Sequence, residues 1–311
     1  MFTREIHLQG VRWFLCILSL LLLRESANAG MPVLETFEGS GLTVKYEAPL
    51  KYMVPKVLKA YPRARTALRK KLRFDMTFKP VIVLIHTDHV FSSMAGGNSL
   101  VNAFAVSKIN HIYIDYSKME RTPFELELTL THELCHLLLH EYIKPYRLPR
   151  WLNEGVSQWV SGGISDIINY DRKKLLKEAA LSGNYLTLDD ITLNFPGGAN
   201  RFILSYEESK SIVEYIDDEY GADKLLLILE NLSKGDTIDK AVFNSLSVEL
   251  SMLEYEWHIS LRRNFTWYSY VADNLIWILF SGAALLTVIG YIRLRIRMKT
   301  HFKDEDDDEY S

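Results

Sequence analysis

Apolar residues are spaced unevenly along this chain, and the spacing changes character several times. Trp13 to Leu23 is a short, Leu-rich run. Arg4 and Arg12 precede it, and Ala27-Asn-Ala29 follows. A basic start, a short apolar stretch and an Ala-x-Ala ending mark a secretory signal peptide, here residues 1–29. The run is too short for a membrane span, which takes about 20 apolar residues. A second run, Leu275 to Ile292, carries no charge over 18 residues. At about 1.5 Å per residue it reaches about 27 Å, close to the thickness of a bilayer core. Trp267, Tyr268 and Tyr270 suit a headgroup belt before it. Arg293, Arg295, Arg297 and Lys299 follow it, as expected of a cytoplasmic flank. These patterns predict a transmembrane helix over 275–292 and a cytoplasmic tail over 293–311.

Between the ends lies an exported domain, residues 30–272. Leu42 to Tyr46 alternates apolar and polar residues and reads as a strand. From Pro49 to Leu72 apolar residues recur at helical spacing, interrupted at Pro55 and Pro62. Val81 to Ile85 is a continuous apolar run, expected of a strand buried on both faces. Ser92 to Ser99 reads as a loop, and Val101–Val106 and His111–Tyr116 as two more strands. From Thr122 to about Arg263 the pattern is mostly helical. Strands first and helices later is an α+β order, with a sheet lobe to about 121 and a helical lobe from about 122.

Composition narrows the function classes. Of 311 residues, 48% are apolar and 24% charged, which excludes a disordered chain. The net charge of −3 argues against a nucleic-acid partner. The basic residues of the 49–72 helix form either a solvated face or a face toward anionic partners. Cys16 falls in the signal peptide, so Cys135 stands alone in the exported domain and no internal disulfide forms there. A core or a metal must stabilise that domain.

Candidate chemistry lies in Leu130-Thr-His132-Glu133-Leu-Cys-His136. Residues four apart share one face of a helix, so both imidazoles can reach one metal, with Glu133 on the neighbouring side. The bland alternative is two core or surface histidines. Thr122, Pro123 and Glu125 form a capping box with a proline start, and Pro145 stops the helix beyond Ile143. Tetrahedral catalytic zinc wants a third protein ligand. Glu154 stands eighteen residues after His136, in Leu148-Pro-Arg-Trp-Leu-Asn-Glu154-Gly. Pro149 starts its helix and Gly162-Gly163 ends it. A helix crossing the first could bring Glu154 onto the same metal.

His132-Glu-x-x-His136 followed by Trp151-Leu-Asn-Glu154-Gly resembles the gluzincin metallopeptidases, which include thermolysin and the membrane alanyl aminopeptidases. The chain is most similar to the peptidase MA-like domain family. A helix with Tyr206, a Tyr220-Gly221 turn and a closing Glu254-x-x-Trp257 extend the likeness over residues 80–262. The resemblance implies a small mixed sheet packed on an active-site helix, followed by a mostly helical lobe. It implies one zinc ion bound by His132, His136 and Glu154, Glu133 as general base, and peptide substrates. Tyr206 is the candidate donor to the oxyanion. Asn102-Ala103-Phe104 resembles the edge strand of thermolysin, which makes Asn102 and Ala103 candidates for binding an extended peptide.

Departures matter as well. The Gly-x-Met-Glu-Asn motif that reads a free amino terminus in the aminopeptidases is absent, which favours an endopeptidase. Gln158 occupies a position where some gluzincins have an acid behind a zinc histidine. Cys135 reads as a buried small residue, and His140 as a surface residue or one behind the metal site. The reading is a zinc peptidase anchored in the cytoplasmic membrane with its catalytic domain outside. The alternative is a non-catalytic, metal-stabilised binding module of the cell envelope.

Overall fold

The computed structural model describes residues 32–97, 101–119, 126–163, 172–266, 270–272 and 274–308. The signal peptide, the capping box at Thr122–Glu125, and Trp267 and Tyr268 lie outside the described residues.

The central strands are apolar on both sides because layers cover both sides. Strands β1 (Leu34–Gly39), β2 (Leu42–Glu47), β3 (Val81–Ile85), β4 (Ala103–Val106) and β5 (His111–Asp115) form one sheet in the order β1-β2-β3-β5-β4. The inner pairs β2–β3 and β3–β5 are parallel, and the edge strands β1 and β4 run antiparallel to their neighbours. Val44, Tyr46, Ile82, Leu84, Ile112 and Ile114 face the main core. Alternate residues Val83 and Ile85, with Phe104 and Tyr113 packed against them, face a smaller core that also holds Val90 and Phe91. The alternation is that of a pleated strand.

Helix α1 (Val54–Leu72) packs on the main-core side. A 3-10 turn, Ala48–Met53, leads into it. Pro55 lies in its first turn, where its missing N–H costs nothing. Pro62 is accommodated inside the helix on an exposed face, so the expected break does not occur. Helix α2 (Asp88–Met94) covers the other side of the sheet and takes in Ser92–Met94, part of the expected loop. Its Val90 and Phe91 supply the apolar side that forms it. Strand β4 begins at Ala103 rather than Val101. Strand β1 carried no sequence signal, because its residues are mostly exposed and lack alternation.

A four-residue helix, α3 (Tyr116–Met119), follows the sheet. The helical lobe then comprises α4 (Leu126–Ile143), α5 (Arg150–Ser161), α6 (Arg172–Ser182), α7 (Ala199–Tyr220), α8 (Ala222–Ser233), α9 (Ile238–Leu246) and α10 (Leu250–Asn264). Its apolar residues join those of the sheet in one core. Helix α4 borders α1, β4 and α5, so it runs between the sheet and the helical lobe. Helix α11 (Leu275–Asp308) contains a segment, Leu275–Arg295, long and apolar enough to cross a membrane, with none of it buried.

Candidate metal centre and its cleft

His132 and His136 sit one turn apart on α4, with ring planes at 89° and centroids 4.6 Å apart. Their Nε2 atoms lie 3.1 Å from each other. Glu154 Oε2, from α5, lies 3.6 Å from His132 Nε2 and 3.4 Å from His136 Nε2. One donor atom from each residue falls within 4.8 Å of the others. Glu154 Oε2 is buried and accepts no hydrogen bond from the described residues. A buried carboxylate oxygen without a donor is costly unless a cation takes it. Two imidazole nitrogens and a carboxylate oxygen are the donor set that zinc accepts. The residues present therefore fit a zinc ion.

The electrostatics agree with that donor set. Burial acts to raise Glu154, yet the two histidines hold its carboxyl far below the usual range. Burial acts to lower His136, and the Glu154 carboxylate overrides it, raising the imidazole to about 9. The cluster attracts positive charge into a buried place.

His136 is oriented from behind. Its Nδ1 lies 2.9 Å from Asn153 Oδ1 and 3.1 Å from Ser157 Oγ. With Nδ1–H donating to Asn153, the Nε2 lone pair points to the metal position. Asn153 and Ser157 are one helical turn apart on α5, so a single face of that helix supports the histidine. The sequence reading missed both residues, although their four-residue spacing beside Glu154 was the available signal. Gln158 does not stand behind a histidine. It is fully buried and donates from Nε2 to the Tyr206 carbonyl at 2.9 Å, tying α7 to α5. Cys135 is buried, and burial raises its thiol to about 12.

The seat of α5 explains its motif. A Cβ on Gly155 would lie 2.1 Å from the Ser209 carbonyl oxygen and 2.6 Å from Val213 Cγ2. Only glycine lets α5 and α7 approach so closely. At the N-terminus of α5, the Arg150 and Trp151 N–H groups donate to the carbonyls of Thr192 and Ile191, at 2.8 and 3.1 Å. Those carbonyls belong to a segment gripped from beyond. Leu186 N–H donates to both oxygens of Glu208, and Leu188 N–H to Glu254 at 2.9 Å. Trp257 is buried, and its Nε1–H donates to Ser211 Oγ at 3.1 Å. The distant Glu254-x-x-Trp257 pattern thus helps hold the segment that caps the Glu154 helix.

A cleft of about 930 Å³ opens over the cluster. His132, Glu133, His136 and Glu154 line it, together with Tyr206 and the β4 residues Ala103, Phe104 and Ala105. His140 also lines it, from an exposed position. Asn102 does not line it. It is 2% exposed, and its carbonyl accepts from the Asp115 N–H. Tyr206 packs edge-on against Phe195 and Phe202, at 4.9 and 5.1 Å between centroids. Burial and the nearby carboxylates of Glu154 and Glu133 hold its phenol far above the usual value, so it stays protonated. The positive charge of Arg150 opposes that rise, and its guanidinium stacks on the Phe195 ring at 4.5 Å.

Parts of three larger proteins of known structure align with this chain. An M1 zinc metallopeptidase from Deinococcus radiodurans, solved as a mutant, aligns at 14% identity and a TM-score of 0.42, over 74% of this chain and 51% of that one. Yeast LTA4 hydrolase, solved with bestatin, aligns at 13% identity and 0.41, over 68% and 36%. Legionella pneumophila aminopeptidase A, solved with aspartic acid, aligns at 11% identity and 0.41, over 73% and 27%. This chain thus spans about half or less of the length of these three structures. No curated protein matches the sequence. The model of one protein family, however, matches residues 85–263, a stretch that holds both helices of the His132, His136 and Glu154 cluster and includes Glu254-x-x-Trp257. The chain belongs to the Peptidase MA superfamily.

Proposed function

We propose that this protein is a single-pass membrane zinc peptidase whose catalytic domain, residues 30–272, lies outside the cytoplasmic membrane. The signal peptide over 1–29, the span over 275–292 and the tail over 293–311 belong to the same proposal. Supporting it above all is the convergence of His132, His136 and Glu154 donor atoms within 4.8 Å at the floor of a cleft that Glu133 also lines.

His132, His136 and Glu154 would hold one zinc ion, which supplies Lewis-acid polarisation and acidifies water at neutral pH. Glu133 takes the proton of the attacking water and returns it to the leaving amine. Tyr206, kept protonated by its buried setting, donates its O–H to the oxyanion. Among the described residues, strand β4 pairs with β5 on one side only. Its open edge at Ala103 offers main-chain groups to an extended peptide by strand addition.

An endopeptidase is the preferred reading, because the sequence lacks the Gly-x-Met-Glu-Asn motif that reads a free amino terminus.

The test uses the full chain in detergent. It should contain about one zinc and cleave members of a peptide library. Glu133→Gln should keep the metal and lose cleavage by about a thousandfold or more. Undiminished cleavage in that variant would sink the mechanism. Zinc binding with no cleavage by either protein would favour a binding module.

A further inference from the structure

Among the described lining residues of the cleft, the charged side chains outside the metal centre are cations. Its two described lining carboxylates sit at the metal centre, whereas Arg147 and Arg150 line it from the link before α5 and from the first turn of that helix. Arg147 is exposed and forms no ion pair with a described residue. Arg150 is anchored without being consumed. Its Nε lies 3.8 Å from Glu154 Oε1, its plane rests on Phe195, and its side chain stays 35% exposed. Tyr146, Leu193 and Phe202 line the same cleft and supply apolar surface beside the two cations. A guanidinium presents a planar fork of donors that fits a carboxylate, and nearby apolar surface strengthens the pairing.

We propose that Arg147 and Arg150 form a carboxylate-binding subsite, so that the preferred peptides carry a carboxylate close to the bond that is cut. The carboxylate belongs to an acidic side chain or to a free C-terminus. The inference rests on the peptidase reading and is testable apart from it.

Binding is measured on full-length Glu133→Gln protein in detergent, by fluorescence anisotropy at low salt. The peptides share one sequence with Glu, Gln or Lys at a single position, each ending in a free acid or an amide. Carboxylate-bearing peptides should bind about tenfold tighter than their neutral partners. Arg147→Gln should shrink that ratio, and Arg147→Glu should invert it in favour of Lys, which a merely structural substitution would not do. A preference that follows Glu assigns the side chain, and one that follows the free acid assigns the C-terminus. Repeating the series after chelation separates the arginines from the metal. A preference that disappears with the metal and ignores Arg147→Glu overturns the subsite, as does equal binding of all six peptides. Wild-type cleavage is followed in parallel. Selective binding without cleavage would leave the subsite standing and sink the peptidase reading. Cleavage with no charge preference in binding would do the opposite.

Discussion

Helix α4 contributes two histidines and Glu133 to the cleft, and α5 contributes Glu154, but the two helices hold their residues in place differently. Helix α4 is apolar on almost every side and runs through the core, with His132 and Glu133 among the buried residues and His136 partly buried. Its own backbone sets the His132–His136 spacing, so any stable version of the helix presents the pair. Helix α5 has only twelve residues, and its position is fixed from outside. Ser209 presses on Gly155, Gln158 reaches Tyr206, and a segment held by Glu208 and Glu254 caps its first turn. Half of the metal site is therefore local and half is tertiary. Residues far from the metal should act on it through α5 and barely through α4.

The largest expected effect tests that contrast directly. In Gly155→Ala the new Cβ meets a backbone oxygen at 2.1 Å, and a backbone cannot rotate away as a side chain can. The α5–α7 seat must open, so destabilisation of about 4 kcal/mol or more is expected, or failure to fold. Thermal unfolding followed by circular dichroism measures it. A loss below about 1 kcal/mol would mean that α5 is not held as tightly as Gly155 implies.

A slightly smaller effect should appear as a pH dependence. Glu208 is fully buried, and burial raises its carboxyl from 4.5 to about 8 despite the Leu186 N–H. Glu254 is shifted in the same direction, again chiefly by burial. For a raised carboxyl the native state binds more protons than the unfolded state between the two values. Stability is then full below 4.5, falls as pH rises toward 8, and is level above it. At about 1.4 kcal/mol per unit, the loss amounts to a few kcal/mol. Chemical denaturation at several pH values should show this decline. Glu208→Gln should flatten the curve and exceed the wild type in stability at alkaline pH. A wild-type curve that rises between those values would contradict the assignment.

Legibility in the sequence followed the same division. The histidine pair, Glu133 and the proline-to-glycine limits of α5 were readable, because helical period and capping are local properties. Strands β2, β3 and β5 were readable because alternation or a continuous apolar run reports which faces are covered. Strand β1 was not, since an exposed edge strand has no pattern to show. The loop assignment at Ser92–Met94 failed because small polar residues can complete a helix whose Val90 and Phe91 are buried. At the site, the burial of Asn102 could not be read from a three-residue likeness. The spacing of Asn153 and Ser157 puts them on one helix face, but that this face meets His136, like the cap on α5, depends on which segments meet in space. Glu254-x-x-Trp257 was visible as a pattern, but its action on α5 was not.

Smaller effects sharpen the contrast at the metal itself. Asn153→Ala removes an acceptor from His136 Nδ1 and leaves the ligands in place. Zinc affinity should fall by about 10- to 100-fold, read by competition with a chelating dye. Cys135→Ala is the matching change on α4, one residue from His136. The thiol is buried, and its value near 12 means that it is protonated at neutral pH. A protonated thiol is a poor metal ligand. It acts as packing in the main core. Truncating it should cost about 1 kcal/mol in unfolding free energy and leave zinc content unchanged. A tenfold loss of zinc in Cys135→Ala would place the thiol on the metal, and the local helix would then depend on more than its histidine spacing.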